Sequence, residues 1–414
     1  MKRSDIEIMA PVGSFESLQA AIQGGANSVY FGIEHLNMRS RSSANFTTND
    51  LKEIVRIAQE NNIKTYLTIN TVMYDSDLSL MRQIIDTAKE ANISAIIASD
   101  QAAINYAFKQ GVEIHLSTQL NVSNYETLKF YANFADVVVL ARELNMNQVA
   151  EIYRQIREDN LRGPSGELIR IEMFVHGALC MAISGKCYLS LNEQNNSANR
   201  GSCSQVCRRA YIVKDKELGI ELEVDNKYIM SPKDLKTIHF INKVLDSGVR
   251  VLKIEGRARS AEYVKTVCQC YNEAIISHLD ETFTEEKIAN WDKRLSKVFN
   301  RGFWDGYYLG QRLGEWSHKY GSSATHKRVY IGKVTNFFNN INVAETKIES
   351  FGLEVGEEII ITGDTTGVVE KIVEDIRLDL KSVDSCKKGD LISIFIGDKV
   401  RRGDKIYKMV ETNK

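Results

Sequence analysis

The fold class predicted by the sequence is an α/β TIM-type (β/α)8-like barrel with a Cys-rich insertion, followed by a small C-terminal all-β barrel domain. Three observations predict it. Short β-branched apolar runs alternate with segments of helical period from the N-terminus to Ile254, eight such runs can be counted, and from about His326 the texture changes to short strands separated by turns. A doubly wound open sheet is the competing arrangement.

The strand-like runs are Ile6–Ala10, Val29–Ile33, Thr65–Ile69, Ala95–Ala98, Glu113–Ser117, Val137–Ala141, Ile171–Val175 and Val249–Ile254. Helical spacing falls between them at Ser14–Gln23, Asn49–Asn61, Leu78–Ala91, Gln101–Lys109, Asn145–Arg157 and Lys233–Asp246, several followed by a Gly or Asn stop. Tyr228–Met230 is an ambiguous run that adds a further strand or none. Two more helical patterns, Ala261–His278 and Glu285–Phe299, precede a Gly- and aromatic-rich stretch containing Phe303, Trp304, Tyr307 and Tyr308, which reads as packing between domains. The expected division is residues 1–325 for the barrel, with the insertion at about 178–230, and 326–414 for the β domain, whose strands are expected at Val329–Val334, Ile341–Val343, Glu357–Thr362, Val368–Ile372 and Leu391–Ile396.

With 53 Lys and Arg against 54 Asp and Glu in 414 residues, the chain has no global field for anions, so any nucleic-acid contact must come from a local basic patch. A composition of 43% hydrophobic and 26% charged residues excludes wholesale disorder and fibrous repeats. The apolar run within Met1–Ala10 is too short for a signal peptide, and no window approaches the roughly 18 apolar residues of a membrane span. The expectation is a cytoplasmic protein with no membrane partner, in which seven cysteines argue against structural disulfides.

Four of those cysteines fall within 28 residues as Cys180-x6-Cys187-x15-Cys203-x3-Cys207. Four thiolates satisfy either zinc or an iron–sulfur cluster. The six-residue gap with Gly185 favours the larger cluster over the tight pairs of zinc knuckles, with zinc as the alternative metal. The segment is too polar to bury them as simple hydrophobes. Cys268 and Cys270 lie in an amphipathic pattern and read as core, although one of them replacing Cys207 as fourth ligand stays open; Cys386, in an exposed-looking turn, reads as incidental. Lys186, Arg200, Arg208 and Arg209 oppose only Glu193 around the cysteines, and Lys399, Arg401, Arg402, Lys405 and Lys408 oppose only Asp404 near the C-terminus. Both are basic patches.

Chemistry in a barrel sits at the rim formed by the C-terminal strand ends, where Asn70, Ser99, Asp100, Thr118, Gln119, Arg142, Glu143, His176, Glu255 and Arg257 fall. His176 is a candidate proton donor or supporting hydrogen bond, Glu172 faces the interior or a helix and needs a partner, and Glu255 completes the candidate catalytic set. His115, in mid-strand, reads as a satisfied core histidine.

The segment Glu172-x-Phe174-x-x-Gly177-Ala-Leu-Cys180-x4-Gly185-x-Cys187-x-Leu189-Ser190 resembles the signature of the collagenase-like peptidase family, peptidase family U-32. Further matches lie at Ala10–Ser17, Ser117–Asn121, Val139–Glu143, Ser231–Leu235 and Leu252–Arg257. The family name implies proteolysis. The subgroup the chain resembles most is that of the prephenate-dependent tRNA uridine hydroxylases, which implies oxygen-independent 5-hydroxylation of a wobble uridine with a Cys-ligated iron–sulfur cluster of the [4Fe–4S] type. Nothing in the sequence has the HExxH or GxSxG pattern of a hydrolase, and four clustered thiols suit redox or donor activation better than hydrolysis. A peptidase, or a non-catalytic RNA-binding accessory protein, remains the alternative.

Prephenate, as the implied co-substrate, is a small dicarboxylate, for which Arg39, Arg41, Arg142, Arg257 and Lys233 are the expected contacts. A tRNA partner implies phosphate contacts from Arg200, Arg208 and Arg209 and, on the β domain, from Arg401 and Arg402. A homo- or hetero-oligomer is compatible with the sequence.

Overall fold

The computed structural model describes residues 1–40, 45–212, 216–217, 230–311, 314–318 and 321–412. Its strands run β1 (Glu7–Pro11), β2 (Ser28–Phe31), β3 (Lys64–Ile69), β4 (Ala95–Ala98), β5 (Ile114–Leu116), β6 (Val137–Val139), β7 (Arg170–Gly177), β8 (Asp234–Lys236), β9 (Val249–Ile254) and β10 (Phe303–Trp304). Strands β1 to β7 pair in parallel with their sequence neighbours, and β9 pairs with both β1 and β7, closing eight strands into a TIM-like barrel. All eight strands read from the sequence are the barrel strands. The open-sheet alternative fails because β9 closes the ring.

Local chemistry sets the helix boundaries. Ser14 accepts from the Ser17 amide to start the Phe15–Gln23 helix, Asp100 accepts from Ala102 at the head of Gln101–Gln110, and Gly111 ends that helix at φ 70°. Asn145 and Gln148 form a capping box at the start of Met146–Glu158. The Tyr125–Tyr131 helix, capped by Asn124, was not among the sequence expectations. The stretch expected as helix from Lys233 breaks into β8, a 3-10 turn and a short Ile241–Asp246 helix. The reason is that β7 overruns its neighbours: its C-terminal end pairs antiparallel with β8, His176 opposite Lys236 and Gly177 opposite Leu235. Of the ambiguous run, Met230 lies in a turn and Tyr228 and Ile229 fall outside the described residues.

Outward-facing strand residues join the helices in one large core, whereas Met9, Tyr30, Tyr66, Ala95, Ile97, Val137 and Val251 form a small cluster of their own. The C-terminal residues form an eight-stranded antiparallel sheet around a separate apolar core that includes Ile331, Ile361 and Ile394. Its strand Lys405–Glu411, unexpected from the sequence, pairs with both His326–Phe338 and Glu358–Gly363. Cys386 is buried against that core, in the strand Ser385–Lys387 of a separate two-stranded sheet with Gly352–Glu354 and not in an exposed turn. The eight-stranded sheet docks on the Phe15–Gln23 and Ala261–Leu279 helices: Gln23 donates to the Thr366 carbonyl and accepts from the Val368 amide, both at 2.9 Å, and Lys265 pairs with Glu370 at 3.0 Å. No helix among the described residues is long and apolar enough to cross a membrane.

Truncating Leu252, fully buried on the outer face of β9, to Ala is expected to cost about 2–5 kcal/mol in urea unfolding, whereas Ile276→Ala, 42% exposed on the Ala261–Leu279 helix, stays within about 0.5 kcal/mol.

Candidate active site

A cavity of about 200 Å³ opens at the C-terminal rim of the barrel, and the segment after β7 forms its outer wall. Cys180, Cys187, Cys203 and Cys207 all line it. Cys180 is exposed and the other three half-buried. Burial pushes the Cys207 thiol up; Arg208 opposes this, and the other three cysteines add to it. Among the described residues, no three His, Cys, Asp or Glu side chains close on a single metal ion as they stand. Four thiols around one cavity are nevertheless the donor set an iron–sulfur cluster takes.

The lining of the cavity is otherwise cationic. Arg39, Arg142, Arg208, Lys253, Arg257, Arg259 and Arg301 line the cavity, against the single carboxylate, Glu255, among the described residues. Arg39 reaches Glu255 at 3.2 Å. Burial alone would raise the Glu255 carboxyl, but Arg39, Arg259, Arg142 and Arg301 outweigh it and hold it below the ordinary carboxylate range. Arg142 stacks over the Phe174 ring at 4.4 Å and donates to the Ala178 carbonyl and Ser184 Oγ. Arg257, buried behind, donates to Asn37 Oδ1 at 3.1 Å and Thr68 Oγ1 at 3.0 Å, and burial lowers it to about 10. The residue between it and Glu255 is Gly256; a side chain on Gly32 opposite would strike Arg257 and Asn37 at 2.6 Å, so this approach needs the bare backbone.

Below the cavity the barrel interior departs from the aliphatic layers usual in this fold. Lys253 Nζ lies 2.6 Å from Glu172 Oε1, and His115 Nδ1 lies 3.3 Å from Glu172 Oε2. Lower still, Tyr66 donates to Glu7 at 2.6 Å, and Glu7 pairs with Arg170 at 3.0 Å. Burial would raise the Glu7 carboxyl, but Arg170, His115, Tyr66 and Ser28 lower it to about 2.

Compared with known proteins, residues 13–318 match Peptidase family U32. The chain belongs to peptidase family U32. It is 63% identical over 408 residues to a protein named "Collagenase" from Porphyromonas gingivalis, with 99% of each chain covered. It is 32% identical over 372 residues to "tRNA hydroxylation protein P1" of Bacillus subtilis, covering 86% of this chain and 83% of that one. To the "23S rRNA 5-hydroxycytidine C2501 synthase" of Escherichia coli it is 29% identical over 384 residues, 89% of this chain and 55% of the relative.

In this U32 chain the sequence-derived candidates separate. The four cysteines, Arg39, Arg142, Arg257 and Glu255 meet at the cavity. Arg41 lies outside the described residues. His176 is not at the rim: the register shifts between Phe174 and His176, so the alternation that points Glu172 and Phe174 inward turns His176 out against Tyr263, Tyr271 and Phe303. Burial, with Lys236 adding, lowers its imidazole to about 3. Lys233 turns away to Glu315 at 2.6 Å.

Arg200 pairs with Asp77 and stacks on Tyr74, Arg209 pairs with Glu193 at 2.8 Å, and Arg208 clamps the Leu179 and Pro232 carbonyls. The basic patch around the cysteines is thus largely committed within the fold, since Asp77 approaches from an element remote in sequence. On the β domain Arg401 donates to Thr366 Oγ1 at 3.1 Å and Lys408 pairs with Glu357, while Arg402 is exposed. Trp304 and Tyr308 are core, as expected.

Lys253, Arg259 and Arg301 were missed. Lys253 was legible as the inward residue two before Glu255; Arg259 and Arg301 reach the cavity through the packing of both on Phe299, which no local pattern reveals.

Because the folded Glu7 carboxyl titrates near 2 against 4.5 for the ordinary group, its stabilisation is complete above pH 4.5 and lost as the pH falls toward 2. Glu7→Gln is expected to cost ~3 kcal/mol at pH 7 and to flatten the acid limb of stability between those values, read from urea melts across the range.

Proposed function

We infer that this protein hydroxylates a pyrimidine base in RNA, with a tRNA wobble uridine as target, and draws the oxygen from a small dicarboxylate donor, prephenate, without O2. The observation that carries the reading is that four thiols and seven cationic side chains line one rim cavity. RNA-hydroxylating names among the relatives agree with it.

Cys180, Cys187, Cys203 and Cys207 would hold the cluster, which supplies electron transfer or a Lewis-acidic iron. The remaining work belongs to the chain. Arg39, Arg142, Arg257, Arg259 and Arg301 neutralise the donor's carboxylates, and a planar guanidinium matches such a group with two parallel hydrogen bonds. Arg142 is fixed by Phe174 below and Ser184 beside it, so it meets the donor preorganised. Glu255, held ionised, keeps Arg39 aimed at the cavity. Met38, Ile97, Leu179 and Met181 provide the apolar wall that keeps water from the reacting centre.

A peptidase is the second reading, favoured by the 63% identical relative named "Collagenase". Against it stands the wall itself: no His lines the cavity among the described residues, and its only carboxylate is engaged by Arg39.

Anaerobically purified protein is expected to be brown and to contain about four iron and four sulfide per chain, and Cys180→Ser to lose the colour. A colourless protein with stoichiometric zinc and full activity would overturn the cluster. Nucleoside mass spectrometry of tRNA from a strain lacking the gene should show 5-hydroxyuridine lost, and restored by the wild-type gene; intact modification together with gelatin cleavage by the purified protein would establish the peptidase instead. Arg142→Ala is expected to raise the donor KM about tenfold or more.

A further inference from the structure

The barrel interior holds a line of buried ionisable groups that the reading above does not use. Lys253 is 95% buried, yet its side chain reaches the cavity wall. Behind it Glu172 and His115 are fully buried, linked at 2.6 and 3.3 Å. Burying a cation, a carboxylate and an imidazole where Val, Ile and Leu would pack is costly unless each is paired. Here each is paired, in series, and the series ends at the cavity.

We propose that Lys253 is the acid–base group of the cavity, and that Glu172 and His115 behind it act as its proton reserve. The proposal rests on the reading of the cavity as a hydroxylation site, where replacing a ring hydrogen by hydroxyl requires one proton to leave the base carbon.

The surroundings suit each role. Lys253 faces Glu172 from β7, the Tyr30 ring at 4.7 Å, the Phe174 ring at 5.5 Å, and the guanidinium groups of Arg257 and Arg142. Burial lowers its ammonium, with Arg257 and Arg142 adding and Glu172 opposing, so it releases a proton more readily than an exposed lysine. His115 faces Glu172 at Nδ1, Glu113 at 3.5 Å from Nε2, the Tyr66 ring at 4.3 Å, and the charge of Glu7. Burial would lower its imidazolium, but these carboxylates outweigh it and raise it. Nε2 is buried without a formed hydrogen bond, so Glu113 acts there as a counter-charge.

In the transfer the donor's C–O bond breaks with its electron pair left on the donor carbon, which is thereby reduced by two electrons, while the base carbon forms the new C–O bond and is oxidised by two. Lys253 gives a proton to the departing part of the donor and becomes a neutral amine. The His115 imidazolium passes its Nδ1 proton to Oε2 of Glu172, whose carboxyl, after a half-turn, delivers it to Lys253. When the base carbon later loses its hydrogen as a proton, Lys253 accepts it, and the reverse transfer through Glu172 recharges His115.

The test measures tRNA hydroxylation against pH for wild type, Lys253→Arg, Lys253→Met and Glu172→Gln, alongside 15N NMR titration of the His115 ring. Lys253→Arg keeps the ion pair but cannot release a proton, so kcat is expected to fall about 100-fold with tRNA affinity and thermal midpoint near wild type. Glu172→Gln should move the basic limb of kcat/KM to lower pH by about one pH unit, because the carboxylate that favours the ammonium is gone. By NMR, Glu172→Gln should lower the His115 titration and Lys253→Met raise it. Wild-type kcat in Lys253→Arg would overturn the acid–base role, and a His115 titration indifferent to Lys253→Met would overturn the reserve. If the wild-type protein hydroxylates no RNA while the NMR coupling is present, the functional reading fails and the linked triad stands.

Discussion

Among the described residues, seven cationic side chains crowd one cavity with a single carboxylate among them, and that excess of positive charge is the constraint around which the rest of the site is arranged. Guanidinium groups held this close repel one another, and burial strengthens the repulsion. The fold answers in three ways. Glu255 is pinned against Arg39, Arg142 spreads its charge over the Phe174 ring, and Arg259 and Arg301 both lean on Phe299. Each device keeps a cation in place while leaving most of its charge for a visitor.

The barrel makes this possible because it brings residues from every strand end to one rim. Parallel pairing sets β7 beside β9, so Phe174 lies opposite Lys253 and Glu172 opposite Val251, and the alternation of side chains then decides what faces the axis. A one-residue irregularity suffices to change the outcome. Glu172 and Phe174 look inward, but the shifted register after Phe174 sends His176 into the packing of the Ala261–Leu279 helix, where Tyr271 lies 3.4 Å from its Nδ1. The long end of β7 that causes this also pairs with β8 and so anchors the return of the chain from the cysteine segment.

What the sequence reveals follows the range of the interaction involved. The eight barrel strands were legible because each is a local apolar run whose burial is forced by the helices on either side. The four cysteines were legible for the opposite reason, as soft ligands in a polar segment with no apolar face to hide them. The charges were only half legible. Arg142, Arg257 and Glu255 stand at strand ends, where topology alone puts them at the rim. Arg200 looked available until the fold brought Asp77 to it, and Lys233 until Glu315 did the same. An ion pair between residues 123 positions apart leaves no mark on either neighbourhood. His176 failed for a subtler reason, since a register shift depends on what the partner strand does.

Charge also bears on which chemistry the cavity suits. A peptide backbone is neutral and carries dipoles, so a hydrolase gains from one or two oriented donors and a nucleophile with its base, not from a ring of guanidinium groups. A ring of guanidinium groups gains most from a ligand with more than one full negative charge, whose desolvation it offsets at several points at once. The four thiols come from the segment after β7, whereas the cations other than Arg208 come from elsewhere in the chain, and Arg39 feels both Glu255 and the thiols of Cys180 and Cys203. An anion drawn in by the arginines therefore meets its counter-charges in the same cavity that the four thiols line.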